Sequence, residues 1–161
     1  MDDNDEAREL AELMDPGTTL MVGLHDAGNA VEFRPLTVAR VEGARIEILV
    51  DGTEEWTRQL RDGSSAEVTL SDTRRNTWAH LHATTSTTTD RATIDELWSP
   101  PAAAYFDDGR DSPGITVLRL DVDRGRYWST TTGRLGSLLS MVRATLGDPE
   151  RSAGDHGDVA V

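Results

Sequence analysis

Two strand-to-helix junctions carry residue types that often hold an anionic ligand: VDGTEEW, Val50 to Trp56, and STTTGRLGS, Ser129 to Ser137. The free backbone N–H groups and the positive dipole end at the beginning of a helix both attract phosphate. The second junction adds threonine hydroxyls and the guanidinium of Arg134, which are groups that bind phosphate. The first begins its helix with Glu54 and Glu55, which repel an anion. The alternative for both junctions is an ordinary capped helix.

Two histidines, His80 and His82, alternate along a predicted strand and therefore share one face. They offer two ligands to a metal ion, but a catalytic zinc site needs a third protein ligand. The other histidines lie in a predicted hairpin (His25) and in the C-terminal segment (His156), and no spacing brings a carboxylate to the pair. We therefore expect no metal site here.

Other familiar chemistry is missing from the sequence. There is no nucleophile elbow, Walker loop or dinucleotide fingerprint, and no side chain stands out as a general acid or base. The chain has no cysteine, which excludes thiol catalysis and thiolate metal sites.

The charge balance narrows the choice of partners. The chain has 29 acidic residues against 16 basic ones, all arginine, and a net charge of −13. This charge repels nucleic acid and anionic membranes, so neither is an expected partner. A salt-rich cytoplasm would screen such self-repulsion, and we interpret the acidic excess as halophilic adaptation. A GC-rich genome is the alternative, although it explains the missing lysine better than the surplus aspartate.

The length and patterning indicate one domain, residues 1–147, followed by an acidic tail, residues 148–161, that we expect to be disordered. No apolar run approaches the ~20 residues that span a bilayer. The N-terminus lacks the basic start and apolar core of a secretory signal, so we expect a cytoplasmic protein.

Periodicity predicts a short helix near residues 5–14 and then three strands up to Asp51, separated by turns near residues 26–29 and 42–43. Arg34-Pro35 lies in the second of these strands, and proline is confined to edge strands or bulges. A helix after Thr53, two further strands and a helix capped by Asp90 follow. Residues 115–129 form a long strand or a hairpin about Arg124-Gly125, and a helix over 133–147 closes the domain. About six strands with peripheral helices predict an α+β, mainly β, antiparallel barrel.

Several strings resemble the pyridoxamine 5′-phosphate oxidase-like, FMN-binding split barrels, in the branch called general stress proteins. These strings are FRPLTV (Phe33 to Val38), DRATIDELWSPPAAAYF (Asp90 to Phe106), VLRLDVDRGRYW (Val117 to Trp128) and the closing LLSMVRATLG. The resemblance spans about residues 5 to 147. It implies a six-stranded antiparallel split β-barrel that forms a homodimer, with two FMN sites at the subunit interface.

The resemblance also implies which residues contact the cofactor. The family's Arg-Pro motif corresponds to Arg34-Pro35 and continues through Leu36 and Thr37, and the lysine before the final helix corresponds to Arg134. Arg34 and Arg134 would hold anionic groups, while Thr37 and Trp128 would contact the flavin ring or the ribityl chain. The remaining matched positions are Val50, Asp51 and His82.

The phosphate motif of the family is not retained in this sequence. Where the family has a Thr-Ser pair and then Ser-x-Lys, this chain has Val50-Asp51 and then Glu54-Glu55-Trp56. The small residues of the fifth strand are replaced by the string from His80 to Ala83. The resemblance implies an FMN-binding oxidoreductase-like protein of unknown substrate. The alternative is a divergent barrel that has lost FMN and acts as a binding or structural dimer, or that binds a deazaflavin or haem.

Overall fold

The computed structural model describes residues 10–26 and 28–129, in which seven strands form one antiparallel sheet of order β2-β1-β5-β6-β7-β4-β3. The strands are β1 (Thr19–His25), β2 (Val31–Thr37), β3 (Arg40–Glu42), β4 (Arg45–Asp51), β5 (Ser65–Asp72), β6 (Thr77–Thr88) and β7 (Ile115–Ser129). The helices are α1 (Glu55–Gln59) and α2 (Arg91–Leu97), with 3₁₀ helices at Pro100–Tyr105 and Gly109–Asp111. Residues 10–13 are also helical.

The sheet has seven strands rather than the six expected, because the second predicted strand divides into β2 and β3. The N–H of Val38 donates to the carbonyl of Thr18, whereas the N–H of Ala39 donates to the carbonyl of Glu47. The amides of Val38 and Ala39 thus bond to segments near opposite edges of the sheet, so the chain passes from the β1 side to the β4 side between these two residues. The curled antiparallel sheet confirms the predicted split barrel.

Two apolar clusters hold the sheet in its curled form. The inner cluster gathers alternate residues of the long strands with residues 10–14, and its fully buried members include Leu10, Leu20, Ile48, Leu81 and Leu118. A second cluster lies on the outer face, where Ile94 and Leu97 of α2 cover β4 and β7. Strand β7 contributes to both clusters, because its side chains alternate between the two faces: Ile115 and Val117 lie in the outer cluster, and Leu118 and Leu120 lie in the inner one.

Other predictions about the elements have clear outcomes. Asp90 caps α2 by accepting the N–H of Thr93 at 2.9 Å, as predicted. Pro35 lies in β2, an edge strand of the sheet, which also agrees with expectation. Residues 115–129 form one continuous strand, with a register shift opposite His82/Ala83. The predicted helix over 133–147 and the predicted tail over 148–161 lie outside the described residues.

Within the described residues, none of the helices has the length and apolar character that a membrane crossing requires.

Candidate functional site

A cleft of about 310 Å³ opens between β2, the β1–β2 turn and α1. Its lining residues are Leu24, His25, Asp26, Glu32, Arg34, Glu54, Glu55, Trp56 and Gln59. Four of these side chains are carboxylic acids and one is a guanidinium. The cleft therefore carries a negative charge, which favours cations and neutral molecules over anions.

Arg34 is already engaged by two neighbours inside this cleft. Its guanidinium nitrogen lies 2.7 Å from a carboxylate oxygen of Glu32, and its Cζ lies 5.2 Å from the ring centroid of Trp56. The indole N–H of Trp56 donates to Glu54 at 2.7 Å. An ion pair and a cation–π contact thus hold the arginine, and its charge is offset by the adjacent Glu32.

The junction between β4 and α1 satisfies its own backbone donors. The N–H of Gly52 donates to the carbonyl of Gly114 at 2.7 Å, and the N–H of Glu54 donates to the carbonyl of Asp51 at 3.3 Å. The N–H and hydroxyl of Thr53 both donate to one carboxylate oxygen of Asp51, at 2.8 and 2.6 Å. The Asp51 carboxylate thus occupies donors that would otherwise be available to a bound anion at this turn.

The junction is also tightly packed. A Cβ added to Gly52 would clash with the hydroxyl of Thr116 and would lie 2.9 Å from the carbonyl of Gly114. Only glycine therefore fits between β4 and the beginning of β7 without displacing backbone. The turn that holds Asp51 is consequently anchored to the sheet.

The hydrogen bonds from Thr53 lower the pKa of Asp51 below its ordinary value, the hydroxyl contributing most and the amide next. We expect Thr53→Ala to raise this pKa. Because the folded-state pKa is lowered, the stabilisation by Asp51 is present above about pH 3.9, the ordinary value, and is lost as the pH falls through the folded-state pKa. The stability difference between the unchanged chain and Thr53→Ala should therefore shrink in acid.

Carboxyl NMR titration of Asp51 measures this shift directly. Thr116→Ala is a matched control, since its hydroxyl donates to the carbonyl of Gly114 and to no carboxylate. An identical Asp51 pKa in Thr53→Ala and in the unchanged chain would contradict the assignment.

The other residues that the resemblance implies for a cofactor site are divided between the two faces of the sheet. Strand pairing places Pro35, Thr37, His82 and Trp128 on the outer face. Leu36 packs against the inner cluster, to which Val50 belongs. Trp128 pairs with Trp78, about 13 Å along β6 from His82 at ~3.3 Å per residue. Arg134 lies outside the described residues.

The expectation that no carboxylate reaches the two strand histidines is wrong. Glu67 on β5 lies directly opposite His82 on β6, and one of its oxygens is 2.8 Å from His82 Nδ1. The other oxygen is 2.6 Å from Nε2 of His80. Sequence spacing could not find Glu67, because its position depends on the register of two strands.

The chain is similar to one protein family along most of its length. The family model described as pyridoxamine 5′-phosphate oxidase like matches residues 5–151. No curated protein matches the chain in sequence.

Solved structures of similar fold carry general stress protein names. The general stress FMN/FAD binding protein from Xanthomonas citri is 25% identical, with a TM-score of 0.66 over 89% of this chain and 99% of that one. A putative general stress protein 26 from Jannaschia is 23% identical, with a TM-score of 0.64 over 78% and 79% of the two chains. A protein related to general stress protein 26 from Clostridium acetobutylicum is 19% identical, with a TM-score of 0.63 over 81% and 92%.

Proposed function

Because the chain belongs to the pyridoxamine 5′-phosphate oxidase-like family, we propose that it is a homodimeric binding protein that has lost FMN as a tightly held cofactor. Its cleft takes a neutral or cationic small molecule instead of a phosphate ester. The observation that carries this proposal is the acidic lining of the cleft, where four carboxylic acids face one engaged arginine.

The residues of the cleft do not fit the phosphate of FMN. A phosphate site needs basic side chains and free N–H donors. Here Glu54 and Trp56 replace the serine and lysine of the family motif, and the Asp51 carboxylate accepts the N–H of Thr53. A phosphate dianion in the cleft would meet carboxylates on both sides, those of Asp26 and Glu32 and those of Glu54 and Glu55. We therefore derive no reaction step through FMN at this cleft.

Trp56 and the acidic groups suit a different ligand. The ring packs partly against the inner cluster and also lines the cleft, so it offers an apolar wall. The carboxylates of Glu32 and Glu54 accept hydrogen bonds from Arg34 and Trp56, at 2.7 Å in both cases. A cationic ligand could take the place of the Arg34 guanidinium over the indole ring. It would then contact the face of Trp56 and the carboxylate of Glu32.

Exposed apolar side chains on the outer face of the sheet support the homodimer. Each of the following side chains exposes between 37% and 46% of its surface: Met21, Val31, Phe33, Trp78 and Trp128. The strand register places all of them on the same face. Burial against a second copy would remove this apolar surface from water, which is the main driving force for association.

The experiment compares FMN with riboflavin, which has the same ring and no phosphate. The full chain is purified in molar KCl, its molar mass is measured by light scattering, and both ligands are titrated by flavin fluorescence. We expect a dimer that purifies without flavin and binds FMN no more tightly than riboflavin, because the phosphate gains nothing in an acidic cleft. Stoichiometric FMN in the purified protein, or FMN binding more than tenfold tighter than riboflavin, would overturn the proposal.

An FMN-dependent oxidoreductase-like protein is the second candidate, favoured by the 25% identity to the FMN/FAD binding protein from Xanthomonas citri. In that case Arg134 would hold the phosphate, while Thr37, His82 and Trp128 would contact the ring or the ribityl chain from the outer face. Bound flavin would supply hydride or electron transfer, and the protein would supply position and electrostatics. FMN binding that Arg134→Gln abolishes would select this candidate. Mass spectrometry of copurifying molecules would identify a deazaflavin or haem.

A further inference from the structure

We propose that Glu67, His80 and His82 form a binding site for a divalent transition-metal ion on the outer face of the sheet. The ion belongs to the class of Zn²⁺, Co²⁺ and Ni²⁺. Two imidazoles and one carboxylate are the donor set that this class prefers, whereas Mg²⁺ and Ca²⁺ prefer oxygen ligands alone. The proposal does not depend on the ligand of the cleft.

Strand pairing brings the three side chains together. His80 and His82 alternate on β6, and Glu67 is the Cα partner of His82 on β5. The two imidazole ring centroids are 4.7 Å apart. One ligand atom from each of the three side chains can be chosen so that all lie within 4.8 Å of one another. The scaffold is two long hydrogen-bonded strands, so the Cα positions are held by the sheet.

The observed separations are close to those that a metal ion needs. At metal–ligand distances of ~2.1 Å, tetrahedral ligands lie about 3.4 Å apart. The carboxylate oxygens of Glu67 are 2.6 Å from His80 Nε2 and 2.8 Å from His82 Nδ1. Small side-chain rotations that separate these atoms by less than 1 Å would open a space for the ion.

The proton positions are also compatible with metal binding. An ionised carboxylate only accepts hydrogen bonds, so the two imidazole nitrogens that face Glu67 carry the protons in the metal-free protein. A neutral imidazole carries one proton, so the binding of an ion at these nitrogens requires each ring to move that proton to its other nitrogen. In the single chain the three side chains are 31–35% exposed, so a further coordination position is accessible beside them. The result is a site of three protein ligands with an open position.

Two arginines on the adjacent strand oppose the binding of a cation. Arg124 is the strand partner of His82, and Arg126 is the strand partner of His80, both on the outer face. Asp123 is engaged on the same side by the hydroxyl of Thr84, at 2.9 Å. Because Glu67 is the one carboxylate within the ligand set, the arginines lower the affinity. We therefore expect Arg124→Gln to tighten metal binding.

The test is a titration of the full chain with Co²⁺ or Ni²⁺ alone, after removal of bound metal with a chelator. Calorimetry gives the stoichiometry, and the visible bands of Co²⁺ report the ligand geometry. We expect one ion per chain, and loss of more than about tenfold in affinity for each of Glu67→Gln, His80→Gln and His82→Gln. Glu42→Gln is the matched control for Glu67→Gln, because Glu42 is an exposed carboxylate of β3 outside the cluster, and this variant should bind Co²⁺ like the unchanged chain.

A ligand exchange separates a metal site from a hydrogen-bonded cluster. Glu67→His removes the acceptor that joins the two histidines but supplies a third imidazole, so Ni²⁺ binding should persist and thermal stability should rise when Ni²⁺ is added. No binding above a nonspecific background would overturn the proposal. Binding that is unaffected by the three ligand variants, or that is lost equally in Glu42→Gln, would also overturn it.

Discussion

Replacing Glu54 by serine and Trp56 by lysine together should tighten FMN binding by at least about 100-fold. The double variant removes a repulsive carboxylate and an apolar ring, and it supplies a hydroxyl and a cation to the phosphate. Each hydrogen bond to a charged group contributes ~1.5–3 kcal/mol, so two give ~3–6 kcal/mol. Since each ~1.4 kcal/mol is a factor of ten, the gain is roughly 10²–10⁴. Loss of the indole also releases Arg34, whose Cζ lies 5.2 Å from the ring centroid of Trp56.

Fluorescence titration with FMN and with riboflavin measures this gain, and the affinity for riboflavin should change little. The matched control is Glu12→Ser with Thr73→Lys, two exposed positions outside the cleft that change the net charge equally. This control separates a local contact from the general loss of negative charge. Equal FMN affinity in the double variant and in the unchanged chain would mean that the phosphate binds elsewhere, with Arg134 as the first residue to test.

Glu47→Gln should lower the free energy of unfolding by about 3 kcal/mol. The Glu47 side chain is 1% exposed, and its two oxygens bind Arg40 at 2.6 Å and Arg119 at 3.0 Å. Removing one partner of a buried ion pair typically costs ~3–5 kcal/mol, because the remaining charges lose their compensation. The arginines here are 34% and 26% exposed, so partial hydration places the cost at the lower end.

The hydrogen bond from Arg40 to Glu47 is also the main cause of a raised pKa of Arg40. Arg40 extends further to Glu96 of α2, at 3.1 Å, so Glu47 helps to join β3, β4, β7 and α2. The variant should therefore loosen the packing of α2 on the sheet. Hydrogen exchange in α2, measured beside chemical unfolding in molar KCl, tests this consequence.

The pair of Arg45 and Asp121 is a matched control, because it also joins β4 to β7 at 2.7 Å but is about 40% exposed on both sides. Exposed ion pairs contribute ~0–1 kcal/mol, so Asp121→Asn should cost less than about 1 kcal/mol. Similar losses in Glu47→Gln and Asp121→Asn would show that burial does not set the strength of these pairs.

Elements governed by local interactions were predictable from the sequence. The cap of Asp90 on Thr93 depends on residues three positions apart, and the edge position of Pro35 follows from its missing N–H. Alternating apolar residues identified the long strands, because one face of a strand must be buried. The division between β2 and β3 was not predictable, since Val38 and Ala39 choose different strand partners.

The sequence alone determined the family, the barrel class and the acidic string Glu54-Glu55 beside Trp56. Tertiary structure decided what these residues contact: Trp56 lies against Arg34 of β2, which is 22 residues earlier in the chain (56 against 34). It also brought Glu67 to His80 and His82 through the register of β5 and β6. Strand register results from packing over a whole sheet, and a shift of one residue would turn Glu67 to the opposite face. The spacing of residues along the sequence does not determine the strand register. The contacts at the cleft and at the cluster of Glu67, His80 and His82 could therefore be identified only in the folded chain.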